Sequence, residues 1–339
     1  MKRSRVDLAA VADWHNLASA FGRAAAGCRG NSAAERFRDD LDANLHEMQQ
    51  EIMQGNVRVG AMTSFCIRDP KIRIIHAPCF RERVLHHALI AHVGPILDRA
   101  LVDDTFACRK GKGTLVAVQR CQHHLRRFPW FVQIDIRSFF AAIDHEILLS
   151  LLSRKFKNPE LLKLLERIIF SFSTEPGKGL PIGALTSQHF ANYYLAGLDR
   201  LLLEAIGVRG MVRYMDDLLW CCDSKEEARK SLHEVRIFLA NTLRLAFKEP
   251  VRIGRNIHGT LFCGLRVLPG CLLLSRRRKR RYSERRQYWE KQYAQGKISR
   301  GKLQVGYAAV LGMTMHTDAI GWRRAQLRRK PIAKLLEEV

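Results

Sequence analysis

The stretch RYMDDLLWCC, Arg213 to Cys222, sets two adjacent carboxylates between runs of large apolar side chains. Met211, Val212, Tyr214 and Met215 precede the pair, and Leu218, Leu219 and Trp220 follow it. Such flanks are strand-forming and want burial, so the segment reads as a hairpin with Asp216 and Asp217 at its turn. Most acid pairs are solvated surface turns. Between buried strands, however, two neighbouring negative charges are costly unless cations or donors compensate them. Carboxylate oxygens are hard ligands, which makes a divalent ion such as Mg²⁺ the natural compensation.

A two-metal site for phosphoryl transfer needs a further carboxylate from another element. WFVQIDIRSFFAAIDHEILL supplies it: Phe131 to Ile136 reads as a buried strand carrying Asp135 near its end, followed by a turn and a helix. Acids delivered to one sheet edge would clamp two metals, one activating an attacking hydroxyl and one stabilising leaving pyrophosphate. MTSFCIRDPKIRIIHAP, Met62 to Pro78, reads as a second hairpin around Asp69-Pro70-Lys71. Its Lys71 and Arg73 are suited to holding a triphosphate.

The charge balance agrees with a polyanionic partner. The 339 residues carry 57 Lys and Arg against 33 Asp and Glu, a net +24. From Ser275 onward, 18 Lys and Arg stand against 5 Asp and Glu, and Tyr282, Tyr288, Trp289 and Tyr293 are interleaved with them. Cations neutralise phosphates and rings stack on bases, so nucleic-acid contact is preferred here to a merely solvated helix face. No apolar run reaches spanning length, and Asp7 and Asp13 interrupt the apolar start, which argues against a signal peptide and a membrane partner. Nine scattered cysteines without paired spacing read as reduced, mostly buried thiols of a cytoplasmic protein. Near the N-terminus, Ser32 and Glu35 offer a capping box. Phe37, Leu41, Leu45, Met48 and Ile52 then mark one helix face, with Gly55 as its stop. Two later β-type runs, Val251 to Ile253 and Thr260 to Val267, suggest another small sheet.

YMDD between apolar strands, DIRSFF upstream and a Gly-x-x-x-Ser helix between them resemble the motifs of reverse transcriptases. RDPKIRIIHAPCFRERVLHHAL resembles their fingers motifs, and GTLFCGL their primer-grip hairpin. The resemblance implies an α+β right-hand polymerase with fingers, a palm of antiparallel sheet plus helices, and a helical thumb. Its parts would be an N-terminal helical extension (1–60), fingers with part of the palm (61–130), palm with primer grip (131–274) and basic thumb (275–339). It implies that Asp135, Asp216 and Asp217 are the catalytic metal ligands, with Ile136 adding a backbone carbonyl for two Mg²⁺ ions, Mn²⁺ being an alternative. Lys71 and Arg73 would contact the triphosphate, and Phe140 would be the steric gate against a ribose 2′-hydroxyl. Ile182, Gly183 and Gln188 would line the nucleotide pocket, with Ser187 on the template side. Lys248 would protonate pyrophosphate, an exposed structural lysine being the competing reading. Tyr214 and Met215 would touch the primer end, and Arg276, Arg277 and Arg278 would meet primer and template.

LPIGALTSQHFAN narrows the type. Many reverse transcriptases carry Gln-Gly and Ser-Pro at these places, where this chain has Ile182 and Gln188. Ile-Gly-x-x-x-Ser-Gln resembles the enzymes of diversity-generating retroelements, in which the apolar residue accompanies error-prone copying opposite template adenine. An apolar chain in place of an amide removes hydrogen bonding from the pocket, so weaker discrimination is physically reasonable. That type implies a structured template RNA, a cDNA primer end, dNTPs and a small basic helical accessory protein. The alternatives are a standalone anti-phage defence enzyme, a group II intron-like reverse transcriptase, a DNA-templated repair polymerase and a polymerase-like RNA-binding protein without catalysis.

Overall fold

The computed structural model describes residues 3–28, 30–68 and 72–329. The chain divides into two compact units. The first comprises Met1–Lys110, Asp135–Gly207 and Ser231–Pro250, and the second Gly111–Ile134, Val208–Lys230 and Val251–Val339. Helices and antiparallel strands alternate through both, so the α+β class expected from the sequence is the class found.

In the first unit, short helices Leu8–Ala12, Trp14–Ala25, Ser32–Asp39 and Leu41–Met53 precede the long helix Phe80–Asp98. Phe21, Phe37 and Phe80 form an aromatic knot with centroids 5.5–6.0 Å apart. The single helix expected after Ser32 is two, broken at Asp40, whose φ of −120° and ψ of 48° leave the helical region. The cap is also one residue earlier than expected. Asn31, not Ser32, accepts from the Ala33 and Ala34 amides, satisfying donors at the helix start. Phe37, Leu45, Met48 and Ile52 still share the buried face. Strands β1 (Met62–Arg68) and β2 (Ile72–Pro78) form the expected hairpin, paired in register from Met62↔Pro78 to Arg68↔Ile72. Further on, helix Pro159–Phe170 starts with the Asn158 side chain as cap and Pro159 in its first turn. Buried Thr105 donates to Asp199 at 3.0 Å, and the Tyr194 hydroxyl to the Leu243 carbonyl at 2.7 Å.

The second unit is built on a four-stranded sheet in the order β4-β5-β3-β6: Gly210–Tyr214, Asp217–Cys222, Trp130–Asp135 and Arg252–Arg255. The boundary between the units falls inside β3, whose last residue, Asp135, belongs to the first. The sequence expectation of one small sheet from Val251 to Val267 needs correction. β6 pairs with β3 and completes the four-stranded sheet, whereas β7 (Thr260–Phe262), β8 (Leu265–Val267) and β9 (Leu272–Leu274) make a separate one. The carboxy-terminal helices are Arg276–Ala294, Arg300–Gly312 and Ile320–Arg329. Buried Arg286 pairs with buried Glu290 at 3.1 Å, and the Tyr307 hydroxyl donates to the same carboxylate. Tyr282 is buried edge-on against Trp322 at 5.2 Å, so that ring anchors helices, while Tyr288 is exposed. Among the described residues no helix is long and apolar enough to cross a membrane.

Candidate active site

The acid hairpin owes its rigidity to burial. Met211, Val212, Leu218, Leu219 and Trp220 are all at most 1% exposed, and Tyr214 pairs with Asp217 across the last register position. Met215 and Asp216 are therefore the turn, and Asp217 opens β5. Met215 takes a left-handed φ of 58°, which costs a side chain with a Cβ about 1–2 kcal/mol. Arg213, fully buried, donates to the Met215 carbonyl at 3.1 Å and steadies that strained corner. Tyr214 through Asp217 are all half-buried, so the carboxylates sit at the surface of a fixed frame. Asp217 Oδ1 accepts from Gln133 Nε2 at 2.8 Å, from a residue two before Asp135 on the neighbouring strand β3.

The first unit gathers the other residues. Asp135 is half-exposed, and its carboxylate is ion-paired with Lys248 Nζ. The pairing is underpinned by backbone: the Lys248 amide donates to the Asp135 carbonyl at 2.8 Å, and Ile136 bridges to Phe247. Lys248 is thus an exposed lysine held against the acid by its ammonium and its backbone. Ile136 is 1% exposed. Ser138, with a left-handed φ of 48°, turns the chain into helix Phe139–Ala142, and the Phe140 carbonyl accepts from the Leu180 amide at 2.8 Å. That joins Phe140 to the start of LPIGALTSQ.

The same loop is stitched to β2, where the His76 amide donates to the Ile182 carbonyl at 2.8 Å. Gly183 has φ +127°, and a Cβ there would come within 2.8 Å of Ile75 Cγ2 and 3.0 Å of the His76 carbonyl. Only glycine lets the strand and loop approach so closely. Arg73 lies two residues before Ile75, on the same hairpin face, and is exposed. Ser187 is buried, while Gln188 accepts from the Cys108 thiol at 3.3 Å. Gln188 and Gly183 line a cavity of about 200 Å³ with Arg83, His86, His87 and Leu185. Burial, then Arg23, Arg83 and His86, hold His87 below the usual histidine pKa. Lys71 lies outside the described residues.

In the second unit, Arg276 and Arg277 are exposed at the start of their helix, whereas Arg278 is partly buried and reaches the Cys263 carbonyl at 3.5 Å. None of the nine cysteines is in a disulfide, and the expectation of mostly buried thiols needs correction: Cys121, Cys221 and Cys222 are buried, whereas Cys66, Cys79 and Cys108 are exposed and the rest lie between. Burial pushes the Cys221 thiol up to about 12, so it stays protonated and inert at neutral pH.

Among the described residues no three His, Cys, Asp or Glu side chains form a ready metal cluster. The donors themselves suit a hard cation. Asp135 and Asp217 offer oxygen ligands at half-exposed positions, and the first already attracts a cation in Lys248. Two residues of this site were overlooked in the sequence. Arg213 stands where an apolar run is interrupted by a charge, and Gln133 is a polar residue inside a buried strand. Both anomalies were readable, though neither names its partner.

The mixed fold of helices and antiparallel sheet is of the right-hand polymerase class. Residues 68–248, just over half the chain, match the reverse transcriptase (RNA-dependent DNA polymerase) family, and the chain belongs to it. The group II intron-encoded protein LtrA of Lactococcus lactis subsp. cremoris is 25% identical over 140 residues, covering 40% of this chain and 23% of that protein. Protein YkfC of Escherichia coli K12 is 22% identical over 145 residues, 40% of this chain and 38% of that one. The chain thus aligns with well under two thirds of the length of these relatives. Apo telomerase from Candida tropicalis, truncated from its C-terminal domain, superposes with a TM-score of 0.45 at 11% identity, covering 69% of this chain and 60% of that one.

Proposed function

We propose that the protein is an RNA-directed DNA polymerase that copies a template RNA into cDNA, of the diversity-generating retroelement type. The family match over residues 68–248 supports the polymerase reading, because that interval contains Asp135, Asp216 and Asp217, and the resemblance of the Ile182–Gln188 motif supports the type. Asp135, Asp216 and Asp217, with the Ile136 carbonyl, would hold two Mg²⁺ ions. When bound, these ions supply Lewis-acid activation of the primer hydroxyl and neutralise charge on the leaving pyrophosphate. In support, Asp135 closes β3 and Asp217 opens the neighbouring strand β5.

The chain's own groups take the remaining tasks. Lys71 and Arg73 bind the triphosphate electrostatically, and Phe140 excludes a 2′-hydroxyl by bulk. Lys248 exchanges its bond to Asp135 for one to the departing pyrophosphate, to which it gives a proton. Ile182 faces the nascent pair without hydrogen bonding, so mispairs opposite adenine are weakly rejected. Tyr214, Met215 and Ser187 seat primer and template, and the cations at Arg276, Arg277 and Arg278 track the duplex phosphates. The division into extension (1–60), fingers (61–130), palm (131–274) and thumb (275–339), a cytoplasmic location and a small basic helical accessory protein belong to the same proposal.

Primer extension on RNA with Mg²⁺ tests the polymerase reading: wild type should extend and Asp216→Ala should not, and equal product from both would refute it. Preference for a DNA template in the same assay would indicate a repair polymerase instead. Sequencing the cDNA tests the type, with errors expected to concentrate opposite adenine and to fall roughly tenfold in Ile182→Gln. A second reading, a group II intron-like reverse transcriptase, draws on the similarity to LtrA. It predicts uniformly accurate cDNA from the wild type.

A further inference from the structure

We propose that Gln133 is a positioning residue for Asp217, the end of a hydrogen-bonded relay that begins at Arg252 and passes through Thr260. The inference rests on the reading of Asp217 as a metal-binding carboxylate, and every residue in it belongs to the second unit.

Each link is short. Arg252 Nη1 donates to Thr260 Oγ1 at 3.0 Å, Thr260 Oγ1 donates to Gln133 Oε1 at 2.6 Å, and Gln133 Nε2 donates to Asp217 Oδ1 at 2.8 Å. The second Gln133 N–H goes to the Leu261 carbonyl at 2.9 Å. All donors point the same way, from a guanidinium to a carboxylate, so each bond polarises the next. The network also fixes which way the amide faces. Reversing it would turn its oxygen toward both the Asp217 carboxylate and the Leu261 carbonyl, two acceptors with no proton to give.

The relay is anchored at its far end. Arg252 sits opposite Gln133 in the β3–β6 register, its second nitrogen donates to the Gly259 carbonyl at 2.9 Å, and its guanidinium lies 5.4 Å from the Phe131 ring centroid. Thr260 is 1% exposed. Gly259, at φ +62°, is held so close to β8 that a Cβ would meet the Val267 carbonyl at 2.3 Å, leaving the adjoining Thr260 little freedom. An exposed glutamine would spend its time among rotamers; this one has both N–H groups and its oxygen engaged. Because Thr260 and Leu261 belong to β7, the orientation of Asp217 is tied to the hairpin whose GTLFCGL sequence resembles a primer grip. Displacement of that hairpin is transmitted to the acid through one amide.

The test separates positioning from folding. Gln133→Met keeps the shape and removes both donors, Thr260→Val removes only the middle link, and Asp217→Ala is the control. Mn²⁺ alone, titrated into free protein and followed by electron paramagnetic resonance, should bind Gln133→Met about tenfold more weakly, and Thr260→Val more weakly by a smaller factor. In primer extension, kcat should fall and the Mg²⁺ midpoint rise while the dNTP KM stays within about twofold. The double variant should lose no more than Gln133→Met alone. Wild-type Mn²⁺ affinity in Gln133→Met overturns the proposal, as does a lowered thermal midpoint with metal affinity unchanged. Mn²⁺ binding by the wild type that does not depend on Asp217 also overturns it. Asp217-dependent Mn²⁺ binding without any RNA-templated extension would sink the polymerase reading alone, and the Mn²⁺ comparison would still decide the relay.

Discussion

The molecule contains two hairpins with similarly apolar sequences and opposite fates. In β4–β5 the apolar residues are wholly buried, and a charged corner is held at the end of a packed frame. In β1–β2 the ladder is longer, seven residues a side, yet Phe65, Ile67, Ile72 and Ile74 are 41–73% exposed. The first hairpin is fixed by the core on both faces. The second is held by its ladder and sewn at the base of β2, which meets Ile182 and Gly183 and sets the His76 ring 4.7 Å from that of Phe172. The contrast suits the proposed tasks: ligands for metal need a fixed geometry, whereas a triphosphate-binding flap must open and close.

The largest effect should come at the charged corner. Asp216→Ala is expected to reduce primer extension by roughly 10³-fold or more, since metal-borne charge stabilisation is worth several kcal/mol and each 1.36 kcal/mol is a factor of ten. Asp216 is half-buried in a turn, so the thermal midpoint should hardly move. A large loss of stability would mean that the carboxylate serves the hairpin rather than the chemistry.

Next comes the frame. Leu219 is 0% exposed and paired with Val212. Leu219→Ala should cost about 2–5 kcal/mol, the range for emptying a buried leucine site, seen as a lower urea midpoint. A cost below about 1 kcal/mol would show a frame far looser than its burial suggests.

Much of this was legible in the sequence, and the gaps have physical reasons. The apolar runs of β3, β4 and β5 and the acids beside them were readable because burial on both faces forces near-continuous apolar sequence. The β1–β2 hairpin was readable from its two β-type runs, but its exposure was not, since β-propensity does not report burial. Asn31 and Ser32 are both competent caps, and their energies differ too little for sequence to choose between them. The pairing of β6 with β3 is contact between residues more than a hundred apart, which no local pattern encodes. The site followed the same rule. Asp135, Asp216 and Asp217 announced themselves as acids in apolar surroundings, whereas the Lys248 pairing and the Gln133 relay depend on long-range register.

The sewn point of the exposed hairpin should respond more mildly than the buried frame. Gly183→Ala introduces a Cβ into a position with φ +127° and Ile75 Cγ2 at 2.8 Å. Strain of about 1–3 kcal/mol is expected, with part relieved by displacing the hairpin. The thermal midpoint should fall modestly, and the dNTP KM should rise more than kcat falls, because Arg73 shares the hairpin face with Ile75. An unchanged KM would break the link between the loop and triphosphate binding.

The smallest effect should come from the exposed apolar residues themselves. Ile72 is 73% exposed and pairs with Arg68 at the last register position of the ladder, on the face opposite Arg73. Ile72→Thr keeps a β-branched side chain suited to a strand and removes apolar surface that gains little from folding. Its effect on the urea midpoint should correspond to no more than about 0.5 kcal/mol. The same apolar-to-smaller change at Leu219 should cost several times as much, although both positions lie in strands of apolar hairpins. If Ile72→Thr instead lowered stability as far as Leu219→Ala, the hairpin would be packed in solution rather than exposed. The two hairpins would then differ only in charge, and a mobile triphosphate flap would lose its structural basis.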